Sequence, residues 1–159
     1  VEHTCNEWNC EPTQRGTLRH AANTAGMLLA MQASSLASAM FYDARLGVSV
    51  YSGLFHPLTR QPFPAYYAFV AFNELYKRKN AVRTDCSTEG ECYACAAVDE
   101  AGSGALMLAN PTDTAQPLTI QLGEKTVRAV KILTEGHIWE DTTLPEILAA
   151  YTTLLILAE

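Results

Sequence analysis

The chain has no apolar run long enough to cross a bilayer as a helix, which takes about 20 residues. Its best candidate, over 149–158, is interrupted by Tyr151, Thr152 and Thr153. Positive charge is scarce: 11 Lys and Arg stand against 17 Asp and Glu, a formal net charge of −6. That balance argues against a nucleic-acid or anionic-membrane surface and suits a soluble protein that meets neutral substrates. No basic segment followed by an apolar stretch opens the sequence, as a signal peptide requires. The sequence begins at Val1, so the compartment stays open. There is no phosphate-cradling glycine loop, no Ser-His-Asp pattern and no zinc-hydrolase motif. Solenoid repeats and low-complexity tracts are also missing. Nothing in the sequence calls for a cofactor or a metal.

What is present is ordinary globular material. The 159 residues are 48% hydrophobic and 18% charged, enough to bury a core in one domain or two small ones. Five cysteines, Cys5, Cys10, Cys86, Cys92 and Cys95, make an odd number, so at least one thiol stays out of any disulfide. Cys92 and Cys95 have Cys-x-x-Cys spacing, but no fourth zinc ligand lies nearby. Small buried residues on strands, or a disulfide between Cys86 and one of the pair, both fit.

Two compositional halves meet near Asn80. In the first, residues 1–5 read as a strand and 9–16 as a loop. Residues 17–33 read as a helix, with Leu18, Ala21, Ala22, Ala25, Leu28, Leu29 and Gln32 at spacings of three and four. Thr17 is placed to cap it, and its Ala- and Met-rich surface predicts burial on more than one side. A second strand over 38–42 leads to Asp43, followed by a long loop over 46–64 of the kind that usually carries function. Pro64 then opens a helix over 64–79, closed by Lys77, Arg78 and Lys79. Strand, helix, strand, helix is the order of a parallel sheet. The second half predicts short antiparallel strands over 81–85, 92–99, 105–110, 118–122, 126–132 and 152–157. The turn signals between them are Glu89-Gly90, 101–104, Asn110-Pro111 and Leu122-Gly123. Strands at this spacing suggest a small sandwich.

The residues that carry chemistry cluster at the start. A carboxylate beside an aromatic at the C-terminal end of a strand is how a (β/α) barrel presents a catalytic acid, and Glu7 stands in the run Asn6-Glu7-Trp8-Asn9. Retaining glycosidases use two carboxylates about 5–5.5 Å apart, one a nucleophile and one an acid/base. An ionised nucleophile needs hydrogen-bond donors, which His3, Asn6 and Asn9 can supply, while Trp8 offers an apolar face to a sugar ring. Strand alternation puts His3, Cys5 and Glu7 on one face. Asp43 occupies the equivalent place on the next strand, and Glu11 is a further carboxylate for the second role. The plainer readings are that Glu7 caps a surface loop and that Asp43 bonds backbone N–H groups or Arg45. Tyr51 and Phe55, in the long loop, are placed as subsite residues. Phe63, Tyr66, Tyr67 and Phe69 read as helix packing, and His20 as a structural helix residue. His56 and His137 lack metal-like partners.

The same run resembles the nucleophile motif at the seventh barrel strand of clan A glycoside hydrolases. The wider pattern is similar to glycoside hydrolase family 39 and related bacterial β-xylosidase-like proteins. The matching stretches are His20-Ala21-Ala22-Asn23-Thr24 with 28–34, Ala39-Met40-Phe41-Tyr42-Asp43-Ala44-Arg45, Gly53-Leu54-Phe55, and 64–69 with Phe72-Asn73-Glu74-Leu75-Tyr76. Glu-Trp-Asn also occurs in the arabinofuranosidases of family 51. The resemblance implies an α/β plus all-β chain. Residues 1–80 would be a partial (β/α) barrel, its last two βα units, and 81–159 an antiparallel β-sandwich, with 144–157 holding its last strand. It also implies that Glu7 is the nucleophile and that Trp8, Tyr42 and Asp43 line the sugar site. The family's acid/base, a Glu after Asn at the end of strand four, has no counterpart, because strands one to six are missing from this sequence.

The expected function is therefore retaining hydrolysis of a plant-type oligo- or polysaccharide such as xylan. Glu7 and Asp43 are the catalytic pair, and His3, Asn6, Trp8, Asn9, Tyr42, Tyr51 and Phe55 bind substrate. The expected partners are a carbohydrate and either further copies of this chain or the missing barrel portion. The alternative is a non-catalytic carbohydrate-binding or structural remnant, in which Trp139 and Tyr93 make the contacts.

Overall fold

Thr17 does cap the first helix: its hydroxyl accepts from the His20 backbone N–H at 3.1 Å, and α1 runs over Leu18–Gln32. The computed structural model describes residues 2–51, 53–87 and 90–159. Val1, at the start of the expected first strand, and Glu89, in an expected turn, lie outside the described residues. Strand β1 (His3–Trp8) runs through the polar cluster instead of stopping before it. A single 3-10 turn at Pro12–Gln14 leads into α1, and β2 (Leu36–Phe41) follows. β1 and β2 are parallel, as two strands joined by a crossover helix are expected to be. Helix α2 (Pro64–Arg78) begins on its proline and ends on Lys79, whose φ of 66° terminates it. Glu74 pairs with Lys77 at 2.7 Å and Arg78 at 2.9 Å on its last turns.

The rest is mostly sheet. Its strands are β3 (Asn80–Val82), β4 (Tyr93–Val98), β5 (Gly104–Asn110), β6 (Gln116–Pro117), β7 (Val127–Thr134), β8 (His137–Asp141), β9 (Ile147–Leu148) and β10 (Thr152–Ala158). Six of these form one antiparallel sheet in the order β3-β4-β5-β10-β7-β8, and β6 pairs with β9 separately. Three features depart from the sequence reading. Residues 118–122 form no strand, although Leu118, Ile120 and Leu122 do turn inward together. The β6–β9 pair and β8 were not anticipated. β8 is largely exposed and irregular, with a register break against β7 and Trp139 at φ 57°, so it carries no clean alternation to read. A turn at Glu135-Gly136, with Gly136 at φ 78°, joins it to β7.

Period-two alternation sends opposite sides of the sheet into different cores. Ala97, Ala105, Met107, Ala109 and Leu155 pack with Ala25, Leu28, Leu29, Ala68, Ala71 and Leu75 of the two helices. Leu106, Leu108, Val130, Leu154 and Ile156 pack on the far side with Cys92 and Leu148. β5 is therefore buried along its whole length. Ala21, Ala22, Ala25, Ala65, Ala68 and Ala71 are all fully buried, and side chains this small let α1 and α2 approach closely. Buried Asn110 ties the β6–β9 flap to the end of β5. Its amide nitrogen reaches the carbonyls of Thr114, Leu148 and Ala149 at 2.8, 3.1 and 3.0 Å.

Candidate active site

The polar cluster sits where the β1–β2 ladder is irregular. Cys5 pairs with Ala39 and Trp8 with Phe41, so three steps on β1 match two on β2. This bulge breaks the alternation expected from the sequence. Cys5 packs toward the same core as Trp8, and Glu7 does not share its environment. Trp8 is 7% exposed, with its ring 5.0 Å from Phe41 and 6.1 Å from Phe69. Its place in the core follows from the area such a ring buries. Glu7, His3 and Asn6 are exposed. Among the described residues no hydrogen bond or ion pair engages the Glu7 carboxylate, whereas Asn6 Oδ1 accepts from the Thr4 hydroxyl at 3.3 Å.

Past the bulge the two strand ends are stapled by Asn9. The Tyr42 N–H donates to the Trp8 carbonyl at 3.0 Å, and Asn9 Nδ2 donates to the Tyr42 carbonyl at 2.5 Å. Asn9 Oδ1 accepts from the Cys10 N–H at 2.6 Å and lies 3.2 Å from His20 Nε2. Since that oxygen can only accept, the bond needs a proton on Nε2 of His20. Its Nδ1 is buried without a partner. Burial, and then the charge of Arg15, push the His20 pKa down to about 4. His20, read from the sequence as structural, therefore holds the loop that follows Glu7 through Asn9.

Asp43 follows β2, and its side chain is 13% exposed, with an oxygen 2.6 Å from Arg45 Nε. The alternative of pairing with Arg45 is the one realised. Arg45 also donates to the Ser49 hydroxyl at 3.3 Å and lies over the Tyr42 ring, itself edge-on to Tyr51 at 5.0 Å. Arg15 donates to the carbonyls of Ser49 and Tyr51, holding the long loop against the segment that leads into α1. Neither arginine was singled out from the sequence as a site residue. Arg15 is 34 and 36 residues from its acceptors, and only the fold brings them together. Asp43, Tyr51 and Phe55 share a small hollow with Arg15, Arg45 and Ser49. Its volume of about 10 Å³ has room for roughly one water. Phe55 also packs on Tyr66 at 5.4 Å. Glu7 does not line this hollow, and Glu11 lines a separate, larger cleft beside α1.

The remaining residues with candidate roles are placed as follows. Trp139 stacks on Tyr67 of α2 at 5.8 Å and is half-buried against the core. Cys86 and Cys92 belong to the far-side core, while Cys5, Cys10 and Cys95 are free thiols, with burial raising the pKa of Cys10 and Cys95. Among the described residues no group of three or more His, Cys, Asp or Glu gathers as a metal site, and no helix is long and apolar enough to cross a membrane.

No protein-family model and no curated protein matches the sequence. Solved structures do. A family 30 endoxylanase from Clostridium papyrosolvens superposes with a TM-score of 0.70 at 10% identity, over 98% of this chain and 41% of its own. A glucosidase from Croceicoccus marinus gives 0.73 at 13% identity, over 99% of this chain and 46% of its own. A family 51 α-L-arabinofuranosidase from Bifidobacterium longum gives 0.57 at 14% identity, over 88% of this chain and 34% of its own. The chain thus spans less than half the length of the structures it matches. At these identities the likeness is one of fold: a mostly-sheet chain with two helices, folded like part of a glycoside hydrolase.

Proposed function

We propose that the chain carries the nucleophile of a retaining glycoside hydrolase of the clan A type, acting on a plant-type oligo- or polysaccharide such as xylan. The observation that carries this reading is the Asn6-Glu7-Trp8-Asn9 cluster at the C-terminal end of a parallel strand. It lies in a chain that superposes over nearly its whole length on carbohydrate-acting enzymes. In this reading residues 1–80 are the last two βα units of a barrel and 81–159 the sandwich beside it. The motif order points to the β-xylosidase-like proteins of family 39.

Glu7 attacks the anomeric carbon, and the leaving oxygen takes a proton from a second carboxyl group. Water then hydrolyses the glycosyl-enzyme, activated by that same group. Asp43, two residues past the Trp8–Phe41 pair, is the carboxylate of this chain just beyond the neighbouring strand. Its ion pair with Arg45 ties it to the loop. The open side of Glu7 is covered by the remaining barrel portion or a second copy of the chain, which brings the proton donor when Asp43 does not serve. His3 and Asn6 share the exposed strand with the nucleophile, Asn9 holds the loop that follows it, and Tyr42, Tyr51 and Phe55 line the sugar's path. The test is release of phenol from an aryl β-xyloside, followed across the size-exclusion profile. Turnover is expected in an assembled fraction and lost in Glu7→Gln. Equal turnover in wild type and Glu7→Gln removes Glu7 from the mechanism.

A second reading, a carbohydrate-binding or structural remnant, draws support from the exposure of Glu7 and the roughly one-water hollow beside Asp43. Retention on insoluble xylan with no release of aryl product from any fraction selects it.

A further inference from the structure

We infer that the cleft between α1 and the start of β4 is a second carbohydrate site, which takes one or two neutral sugar rings stacked on Tyr93. The cleft encloses about 310 Å³, at the lower end of the range for small-molecule sites. It lies between α1 and the sheet, and neither Glu7 nor Asp43 lines it.

Its floor is apolar. Tyr93 opens β4 opposite Ala109, and Pro111 stands just past the end of β5. Gly26 of α1 is what lets the Tyr93 ring lie against the helix. A Cβ there would come within 3.1 and 3.4 Å of two ring carbons and 3.7 Å of Pro111 Cγ. Met27 extends the floor along α1. The rim is polar. Asn23 Nδ2 donates to Gln14 Oε1 at 2.8 Å, which holds the two amides together. That bond uses one heavy atom of each and leaves a donor, the Gln14 amide N–H₂, and an acceptor, the Asn23 carbonyl oxygen, for a ligand.

This lining selects its ligand chemically. Among the described residues no Lys, Arg or His lines the cleft, its one charged side chain is Glu11, and the net charge is −6, so an anion finds no counter-charge and is repelled. A purely apolar ligand would leave the rim amides without partners, at a cost. A pyranose meets both demands, with its C–H face on Tyr93 and vicinal hydroxyls against the amide pair. The inference rests on reading the chain as a carbohydrate-acting protein but not on the role of Glu7. It places a binding function outside the proposed catalytic strand ends.

The test is titration of the full chain with xylobiose, followed by two-dimensional NMR, in wild type and in Glu7→Gln. Millimolar binding is expected in both, with shifts gathered at the Cys10–Gln14 loop, the Asn23–Ala30 face of α1, Tyr93 and Pro111. Tyr93→Ala should weaken binding about tenfold and Tyr93→Phe should retain it, because the ring face carries the contact. Asn23→Ala provides an independent variant should Tyr93→Ala fail to fold, and should weaken binding by removing the rim pair. Shifts confined to the strand ends around Glu7, no saturable shifts at all, or undiminished binding in the folded Tyr93→Ala or Asn23→Ala protein would overturn the assignment. Binding at the cleft with no xyloside turnover would uphold this site while removing the hydrolase reading.

Discussion

Replacing His20 by Gln should flatten the stability of this protein against pH over a defined window. His20 is fully buried, and its ring is the neutral partner of Asn9. Unfolded, the imidazole takes up a proton near 6.5, whereas folded it does so only near 4. Between those values the unfolded state binds more protons, so stability falls as pH drops through the window and levels off beneath it. At about 1.4 kcal/mol per pKa unit, the whole effect is about 3 kcal/mol, of which about 2 kcal/mol falls between about pH 7 and pH 5. Staying above pH 5 sets aside Glu74. Burial pushes its carboxyl up, but Lys77 and Arg78 outweigh that and hold it below its usual range, so its share is lost only at lower pH. The assay is urea unfolding at both ends of the window. Gln keeps an N–H for Asn9 but cannot charge, so the difference between the two proteins' slopes belongs to His20 alone. Parallel slopes would show that the ring is protonated as readily in the folded chain as in the unfolded one, and the buried staple would be wrong.

Three further outcomes follow from the packing. Asn110→Ala should cost about 2–3 kcal/mol in chemical denaturation, because it removes a buried amide and orphans the buried Leu148 carbonyl of the β6–β9 flap; a loss under half a kilocalorie would mean water replaces the amide. Trp8→Ala should cost about 3–5 kcal/mol by emptying a buried aromatic cluster, whereas a Trp8 that served only to meet sugar would be dispensable to the melting temperature. Arg15→Ala should leave the melt nearly unchanged but speed limited proteolysis between residues 46 and 63, since it removes the clamp on Ser49 and Tyr51; an unchanged cleavage rate would assign the loop's order to other contacts.

Local signals of the fold were plain in the sequence where one interaction dominates. The three-and-four spacing and Thr17 give α1 almost to the residue, and Pro64 gives the start of α2. The central strands declare themselves as β-prone apolar runs. β8 stays hidden because it is exposed and bulged, so no periodicity marks it. Residues 118–122 show the opposite case: they alternate as a strand does, yet find no ladder partner there. At the candidate site the Asn6-Glu7-Trp8-Asn9 run was readable as a motif, but the direction of each side chain was not. A single extra residue opposite β2 sends Trp8 inward and leaves Glu7 at the surface. The grip of Arg15 on the long loop and of His20 on Asn9 depends on contacts between residues distant in sequence, which no spacing rule anticipates.

The alanine-lined seam between α1 and α2 acts as a one-way filter on sequence drift. The fully enclosed methyl groups of Ala21, Ala25, Ala65, Ala68 and Ala71 leave almost nothing to trim, so a change to glycine there acts mainly through the backbone, at roughly 1 kcal/mol. Any added bulk must instead wedge two helices apart and lift them from the sheet they cover. Related chains that diverge freely elsewhere should therefore keep this stripe small, and a saturation library should show tolerance collapsing with side-chain volume there while remaining indifferent to polarity on the outward faces of the same helices.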